Sequence, residues 1–343
     1  MSLEPAVTVA VVPRERFSFA ERALAALYER TRAPFDLVYV DGNAPRPVAR
    51  ALRAAAVQWG FRLLRTEEYL TPNEARNLVI PHVTTRYVAF LDNDVLVRPG
   101  WLTALVDCAE ETGAGVVGPL YCFGLRECET VHLAGGDARV VETADGRRHF
   151  FERHRHANQP LAAVRSRARR EATEQAEFHC MLVRTDLFAR LGKLDEGLRS
   201  SREHVDFCMQ VRAAGETVYS EPAAVVTYIT PRVLPLSDLG YFWRRWSTAW
   251  NRASLDHFKT KWGLSDDDPS YADQFWWLER HRRHALRPLR LWVRRLLLGR
   301  ERGRRFAHAV LYPLEARFNR WLTRNDPRFR PSPPTPAVAV PGG

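Results

Sequence analysis

Short apolar runs alternate with segments of helical period through the first third of the chain, and this alternation limits the fold more than any other feature. Val7–Val12 is a near-continuous apolar run, of the kind buried on both faces of a parallel sheet. Ala20, Ala23, Leu24, Leu27 and Tyr28 then recur at helical spacing, with Ser18 and Glu21 placed as a capping box. A second strand is expected at 35–40, ending in Asp41-Gly42-Asn43. Val48, Leu52, Ala55, Ala56 and Trp59 mark the next helix, and 61–64 the next strand. Thr71 and Glu74 form another capping box, with Pro72 at the first helical position, and that helix runs through Arg76 and Asn77. A strand at 87–91, a helix between Pro99 and Gly113 and a strand at 114–118 follow. Such alternation builds an α/β fold: a mostly parallel, Rossmann-like sheet with helices on both faces. Sheets of this kind bind ligands outside the carboxyl ends of their strands, where Asp41, Asp92 and Asp94 fall.

In an extended segment, side chains two apart share a side, so Asp92 and Asp94 can reach one object together. Two carboxylates held close need something positive between them. Magnesium or manganese fits, since either accepts oxygens from protein and substrate phosphates at once. Asp-x-Asp is equally the chemistry of a turn, because Asp and Asn bond their own backbone. The formal net charge of +11 favours an anionic partner: nucleotide phosphate, lipid headgroup or nucleic acid. No recognisable nucleic-acid module accompanies it, so nucleic acid ranks last. Cys108, Cys122, Cys128, Cys180 and Cys208 contain no Cys-x-x-Cys and read as reduced thiols rather than a zinc site. Residues 1–5 carry no basic region, the first apolar run stops at Pro13, and no apolar stretch reaches bilayer length. The expectation is a cytoplasmic protein.

Three groups of residues carry a resemblance. The first is Asn73-Glu74-Ala75-Arg76-Asn77. The second is Tyr87-Val88-Ala89-Phe90-Leu91-Asp92-Asn93-Asp94-Val95 with Pro99-Gly100-Trp101-Leu102. The third is Cys180-Met181-Leu182-Val183-Arg184, Leu194-Asp195-Glu196, Glu203-His204-Val205-Asp206-Phe207-Cys208 and Ala214-Gly215. Their order and spacing, over about residues 6–228, resemble family 2 glycosyltransferases of the GT-A fold. The resemblance implies transfer of a sugar from a nucleotide-diphosphate donor to a hydroxyl acceptor, with inversion at the anomeric carbon. It implies that Asp92 and Asp94 belong to the metal and diphosphate site, with Mn2+ or Mg2+ as the divalent cation. Asp41 and Arg76 would help hold the nucleoside, with Asn77 and Asn93 beside them in the donor site.

Inversion by single displacement needs a base near the acceptor hydroxyl. The place for it is Glu203-His204-Val205-Asp206, at the start of a helix that ends near Gly215, where anionic side chains are stabilised. The family pattern is Glu-Asp followed one residue later by Asp, the first Asp being the base. Here His204 stands at that position. His204 can serve, since its ordinary pKa lies near physiological pH; Glu203 and Asp206 are the alternatives. Against these roles stands a structural one, with Glu203 capping the helix and Asp206 bonding backbone or a nearby Arg. After Pro222 the family commonly ends the next strand in a metal-ligating His, and this chain has Tyr228, a poor ligand unless deprotonated. These two departures keep a second reading open: a weakened or inactive relative that binds sugar nucleotide or glycan. His179 reads as a structural residue beside an apolar run.

Between 121 and 177, the stretches 131–141 and 149–152 around Asp145-Gly146 read as a hairpin. Residues 153–170 are crowded with Arg and His, suited either to an anionic acceptor such as a lipid-linked phosphate or to a solvated basic helix. The expected division is a GT-A domain over 6–231, an aromatic- and Arg-rich helical extension over 232–325 and a Pro-rich disordered tail over 326–343. Asp266-Asp267-Asp268-Pro269 reads as a loop and helix cap. Residues 286–298 interleave Leu and Trp292 with Arg, which suits either the cytoplasmic face of an anionic membrane or packing on the catalytic domain. The expected partners are a nucleotide-diphospho-sugar donor and a glycan or lipid-linked acceptor.

Overall fold

The computed structural model describes residues 5–124, 130–230, 233–296 and 299–326. Twelve strands are present among them: β1 (Val7–Val12), β2 (Asp36–Gly42), β3 (Arg62–Thr66), β4 (Tyr87–Asp92), β5 (Val95–Val97), β6 (Val116–Gly124), β7 (Thr130–Leu133), β8 (Gly136–Glu142), β9 (Arg148–His154), β10 (Glu171–Thr173), β11 (Cys180–Arg184) and β12 (Val218–Ile229). The main sheet runs in the order β10-β12-β6-β11-β4-β1-β2-β3, with β5 and β7 attached to β12 and β6. Strands β4, β1, β2 and β3 are mutually parallel, as are β6 and β12. One antiparallel strand, β11, sits between the two parallel blocks. β1 and β4 are buried along their whole length, as continuous apolar strands covered on both faces must be. One apolar cluster, around Leu24, Leu52, Trp101 and Leu105, packs on one face; another, around Val79, Phe178, Leu187 and Phe207, packs on the other.

Local chemistry explains several boundaries. The Thr71/Glu74 capping box forms and starts the helix Pro72–Val79. Gly113, left-handed at φ +70°, ends the helix Trp101–Thr112. Asp268 caps the helix Pro269–Arg282 by accepting from the Ser270 amide. The Ser18/Glu21 box does not form. The Ser18 amide and hydroxyl both donate to Asp238, which belongs to the extension, and the first long helix begins at Ala20 instead.

The hairpin of the sequence reading is β8–β9, and it packs Ala138 and Phe150 against Val205, Met209 and Phe258. The basic stretch that follows is not a free helix. Arg153 and Arg155 pair with Asp137, and Arg170 pairs with Glu111 and Glu221, leaving only a short helix at Leu161–Arg165.

The extension is tied to the rest of the chain. Tyr241 donates to the carbonyls of Pro13 and Leu70, and Trp246 donates to Glu15 at 2.7 Å. In the helix Arg287–Leu296 only Val293 is buried, clustered with Ala307 and Leu311, and the helix leaves Leu289, Leu291, Trp292 and Leu296 exposed. No helix among the described residues is long and apolar enough to cross a membrane. The four described cysteines are buried thiols; Cys128 and the Pro-rich stretch from 327 lie outside the described residues.

Candidate active site

A cavity of about 270 Å3 opens at the carboxyl ends of β1 and β4. Its wall is built from several places. The turn after β1 supplies Arg14, and β4 supplies Asp92. The hairpin and neighbouring strands supply His132, Glu152, His154, Glu177 and His179. The start of the helix Glu203–Ala213 supplies Glu203 and His204, and the extension supplies Arg245, Trp246, Gln274 and Trp277.

Asp92 is the hub. His179 Nδ1 donates to its Oδ2 at 2.9 Å, Arg14 Nε lies 3.3 Å from the same oxygen, and Arg76 Nη2 lies 3.6 Å from Oδ1. Asp94 is fully buried and does not line the cavity; Arg16 donates to its Oδ2 at 3.0 Å. Arg14 also reaches to 3.9 Å from that oxygen, so the two carboxylates do face a common object. That object is a guanidinium. One oxygen of each, Asp92 Oδ1 and Asp94 Oδ1, lacks a hydrogen-bond partner. Burial raises the Asp94 carboxyl above its ordinary range, against the opposing pull of Arg16 and Arg14. The pair therefore has its positive counterpart already, and only Asp92 presents donors to the cavity. As a cradle for a divalent cation the two together do not fit.

The other residues singled out from sequence fall in different places. Arg76 lines the cavity, stacked over Phe178 at 3.9 Å. Asn93 lies behind it, accepting from the Arg14 amide and donating to the Arg16 carbonyl, and so fixes the turn that carries both arginines. Asn77 is tied to the backbone of Leu194, and Asp41 to Arg65 and the Ala44 amide; neither lines the cavity. Asp206 points away from it, bonded to Lys261 at 2.9 Å, Trp262 at 2.8 Å and Gln210 at 2.7 Å. Burial raises its pKa in spite of Lys261. That is the structural role weighed for Asp206, with Lys and Trp as partners in place of Arg.

Glu203 faces the cavity but pairs with Arg245 at 3.0 Å. His204 lines it with Nε2 free of hydrogen-bond partners, 3.9 Å from Glu152 Oε1. Burial works against ionisation of Glu152, yet Arg202, His154 and His204 outweigh it and hold the carboxyl well below its usual range. Just before the helix, Arg202 adopts the left-handed φ of +70°, a strained conformation for a residue with a side chain. Its guanidinium pairs with Glu152 and stacks over Phe150 at 4.4 Å, which holds the strained turn.

Tyr228 stacks on His179 at 4.4 Å. Burial raises its pKa far above the ordinary value, so it keeps its proton and stays a poor metal ligand. Arg14, Glu152, Glu177 and Arg245 were not singled out from sequence. Arg14 carried one usable signal: it follows the first strand directly, at the carboxyl end where such sheets bind ligands.

A sheet of two parallel blocks joined by one antiparallel strand, with a cavity at the strand ends, is the architecture of the GT-A fold. Residues 8–172, just under half of the chain, match the family model of glycosyl transferase family 2. Among curated relatives, it is 23% identical over 267 residues to the uncharacterized protein y4gI of Sinorhizobium fredii, across 71% of this chain and 28% of that protein. It is 29% identical over 229 residues to the succinoglycan biosynthesis protein ExoM of Rhizobium meliloti, across 64% of this chain and 65% of that protein. The chain thus spans little more than a quarter of the first relative and just under two thirds of the second.

Two solved structures share the fold. One is GalNAc-T7 with UDP, GalNAc and Mn2+, at a TM-score of 0.52 and 17% identity over 66% of this chain and 43% of that one. The other is the mannosyltransferase PcManGT of Pyrobaculum calidifontis with GDP-Man and Mn2+, at 0.50 and 17% over 94% and 86%.

Proposed function

We propose that the protein moves a sugar from a nucleotide-diphosphate donor to a hydroxyl acceptor with inversion, the nucleotide diphosphate leaving from the Arg14–Arg76–Asp92 side of the cavity. The observation that carries this reading is the convergence of Arg14 and Arg76 on Asp92 at the strand ends, in one cavity with His204. In a single displacement the acceptor hydroxyl gives its proton to the base, and its oxygen attacks the anomeric carbon. The bond to the diphosphate breaks opposite, and its electron pair leaves with the diphosphate. Guanidinium groups are suited to the growing phosphate charge. His204, with its unpartnered Nε2, is the base, and Glu152 stabilises the imidazolium that forms. UDP and GalNAc in one solved neighbour, GDP-Man in the other and Mn2+ in both support a nucleotide-sugar donor and a divalent cation. The acceptor is a glycan or a lipid-linked glycan.

Donor binding should be visible by thermal shift across a panel of UDP- and GDP-sugars. At a hundredfold excess over Kd the matching donor adds about 2.7 kcal/mol of stability. Arg14→Ala should abolish that gain while the protein stays folded. A panel that shifts nothing, with no nucleotide diphosphate released, would sink the reading.

The extension supports a peripheral membrane contact at the cytoplasmic face. Leu289, Trp292 and Leu296 are exposed at helical spacing beside Arg287, Arg290, Arg294 and Arg295. The protein should sediment with anionic vesicles at low salt and not with neutral ones. Trp292→Ser with Leu296→Ser should leave most of it in the supernatant; equal sedimentation of both forms would remove the membrane contact.

A further inference from the structure

We infer that the cavity holds a first-row divalent transition metal ion on His132, Glu177 and His179, one strand away from the Asp92–Asp94 pair, with Asp92 orienting a ligand rather than binding the ion. Among the described residues this is the one trio of His, Cys, Asp or Glu with donor atoms all within 4.8 Å of one another. Two imidazoles and a carboxylate are a donor set that suits Mn2+, Zn2+ or Fe2+ over Mg2+. Bonds of about 2.0–2.2 Å place ligand atoms roughly 3–3.5 Å apart, within reach of small side-chain rotations here.

Three observations point to an ion. Glu177 is nine-tenths buried, and its Oε2 has no hydrogen-bond partner. Its neighbours there are histidine nitrogens: His179 Nε2 at 3.4 Å from Oε2, and His132 Nε2 at 3.0 Å from Oε1.

The second is charge. Asp92 has Arg14, Asp94 has Arg16, Glu152 has Arg202 and Glu203 has Arg245. Glu177 is the cavity carboxylate with no arginine or lysine partner among the described residues. Its close partners there are histidine nitrogens, the groups that share a metal ion with a carboxylate.

The third is orientation. Asp92 accepts from His179 Nδ1 at 2.9 Å, which fixes the tautomer and turns the Nε2 lone pair towards Glu177. A carboxylate behind an imidazole is how proteins orient and strengthen a histidine ligand. Tyr228, stacked flat on His179, holds the ring in that plane. His132 is partly exposed to the cavity, so coordination positions remain open on the side from which a phosphate oxygen would approach. The tyrosine in place of a ligating histidine is then a ring support, and the ligand nitrogens come from β7 and from the residue before β11.

The test uses the full chain, stripped with chelator and loaded with Mn2+ alone. Wild type should bind one ion per chain, and pulsed EPR should show 14N modulation from coordinated imidazole. His132→Ala and Glu177→Gln should each weaken Mn2+ by about tenfold or more, as should Asp92→Asn through its support of His179. Asp94→Asn should bind as wild type does. His132→Gln replaces the alanine variant if that one does not fold, with circular dichroism as the check. Tight Mn2+ without 14N modulation, loss of the ion in Asp94→Asn but not in His132→Ala, or no ion at all would each overturn the site. Because neither nucleotide nor acceptor is present, such a failure leaves the transferase reading standing, and failure of donor turnover leaves the ion data intact.

Discussion

Replacing His204 with alanine should lower turnover by about 10^2–10^4-fold, the range that general-base catalysis supplies, with donor affinity nearly unchanged. Three observations set this expectation. His204 lines the cavity while Asp206 is consumed by Lys261, Trp262 and Gln210. Glu203, the other candidate, is held by Arg245 at 3.0 Å. Glu152 sits 3.9 Å from His204 Nε2, positioned to favour the protonated ring once the base has done its work. Rates at saturating donor and acceptor, together with donor Kd, check it. Glu203→Gln should have a smaller effect on turnover than His204→Ala. Asp206→Asn should act mainly on stability, because it weakens the tie between the helix Glu203–Ala213 and the extension. Full turnover in His204→Ala would move the base to Glu203. A wild-type chain that binds donor yet turns over with no acceptor would favour the binding-protein alternative.

Arg282→Ala should cost about 3–5 kcal/mol of folding stability, the usual penalty for leaving one member of a buried ion pair uncompensated. Arg282 and Glu315 are almost fully buried and bonded to each other. Arg282 also donates to Thr248 at 3.1 Å and to the Trp246 carbonyl at 3.3 Å. It thus joins three helices of the extension behind a residue of the cavity wall. Glu315→Ala should cost a similar amount, and the Arg282→Leu/Glu315→Leu pair should cost far less than the two alanine changes summed. Urea denaturation of the four proteins checks it; additive losses would mean that the two side chains act independently.

What could be read from sequence was whatever depends on neighbours in the chain. The apolar runs that became β1, β2 and β4 are continuous because parallel strands are covered on both faces, and that pattern needs no knowledge of partners. The Thr71/Glu74 box closes within one helical turn and formed. The Ser18/Glu21 box satisfies the same rule and did not, because Asp238, 220 residues away, bonds Ser18 more completely. The site divides in the same way. Asp92, Arg76, Glu203 and His204 stand in local motifs and reach the cavity. Asp41, Asn77 and Asp94 stand in equally good motifs but are engaged by Arg65, Leu194 and Arg16. Arg14 and Arg245 carry no motif; only the fold brings one to Asp92 and the other to Glu203. Spacing also gives no hint that His132, from β7, meets Glu177 and His179 across the sheet edge.

Gln274 and Trp277 stand on the cavity wall, on a helix outside the family-model match at 8–172. Selection can therefore redraw that side of the cavity by changing that helix alone, leaving the strand end with Asp92 untouched. On the proposed function, relatives that share a donor would then diverge in what they decorate through the part of the chain that looks least like an enzyme.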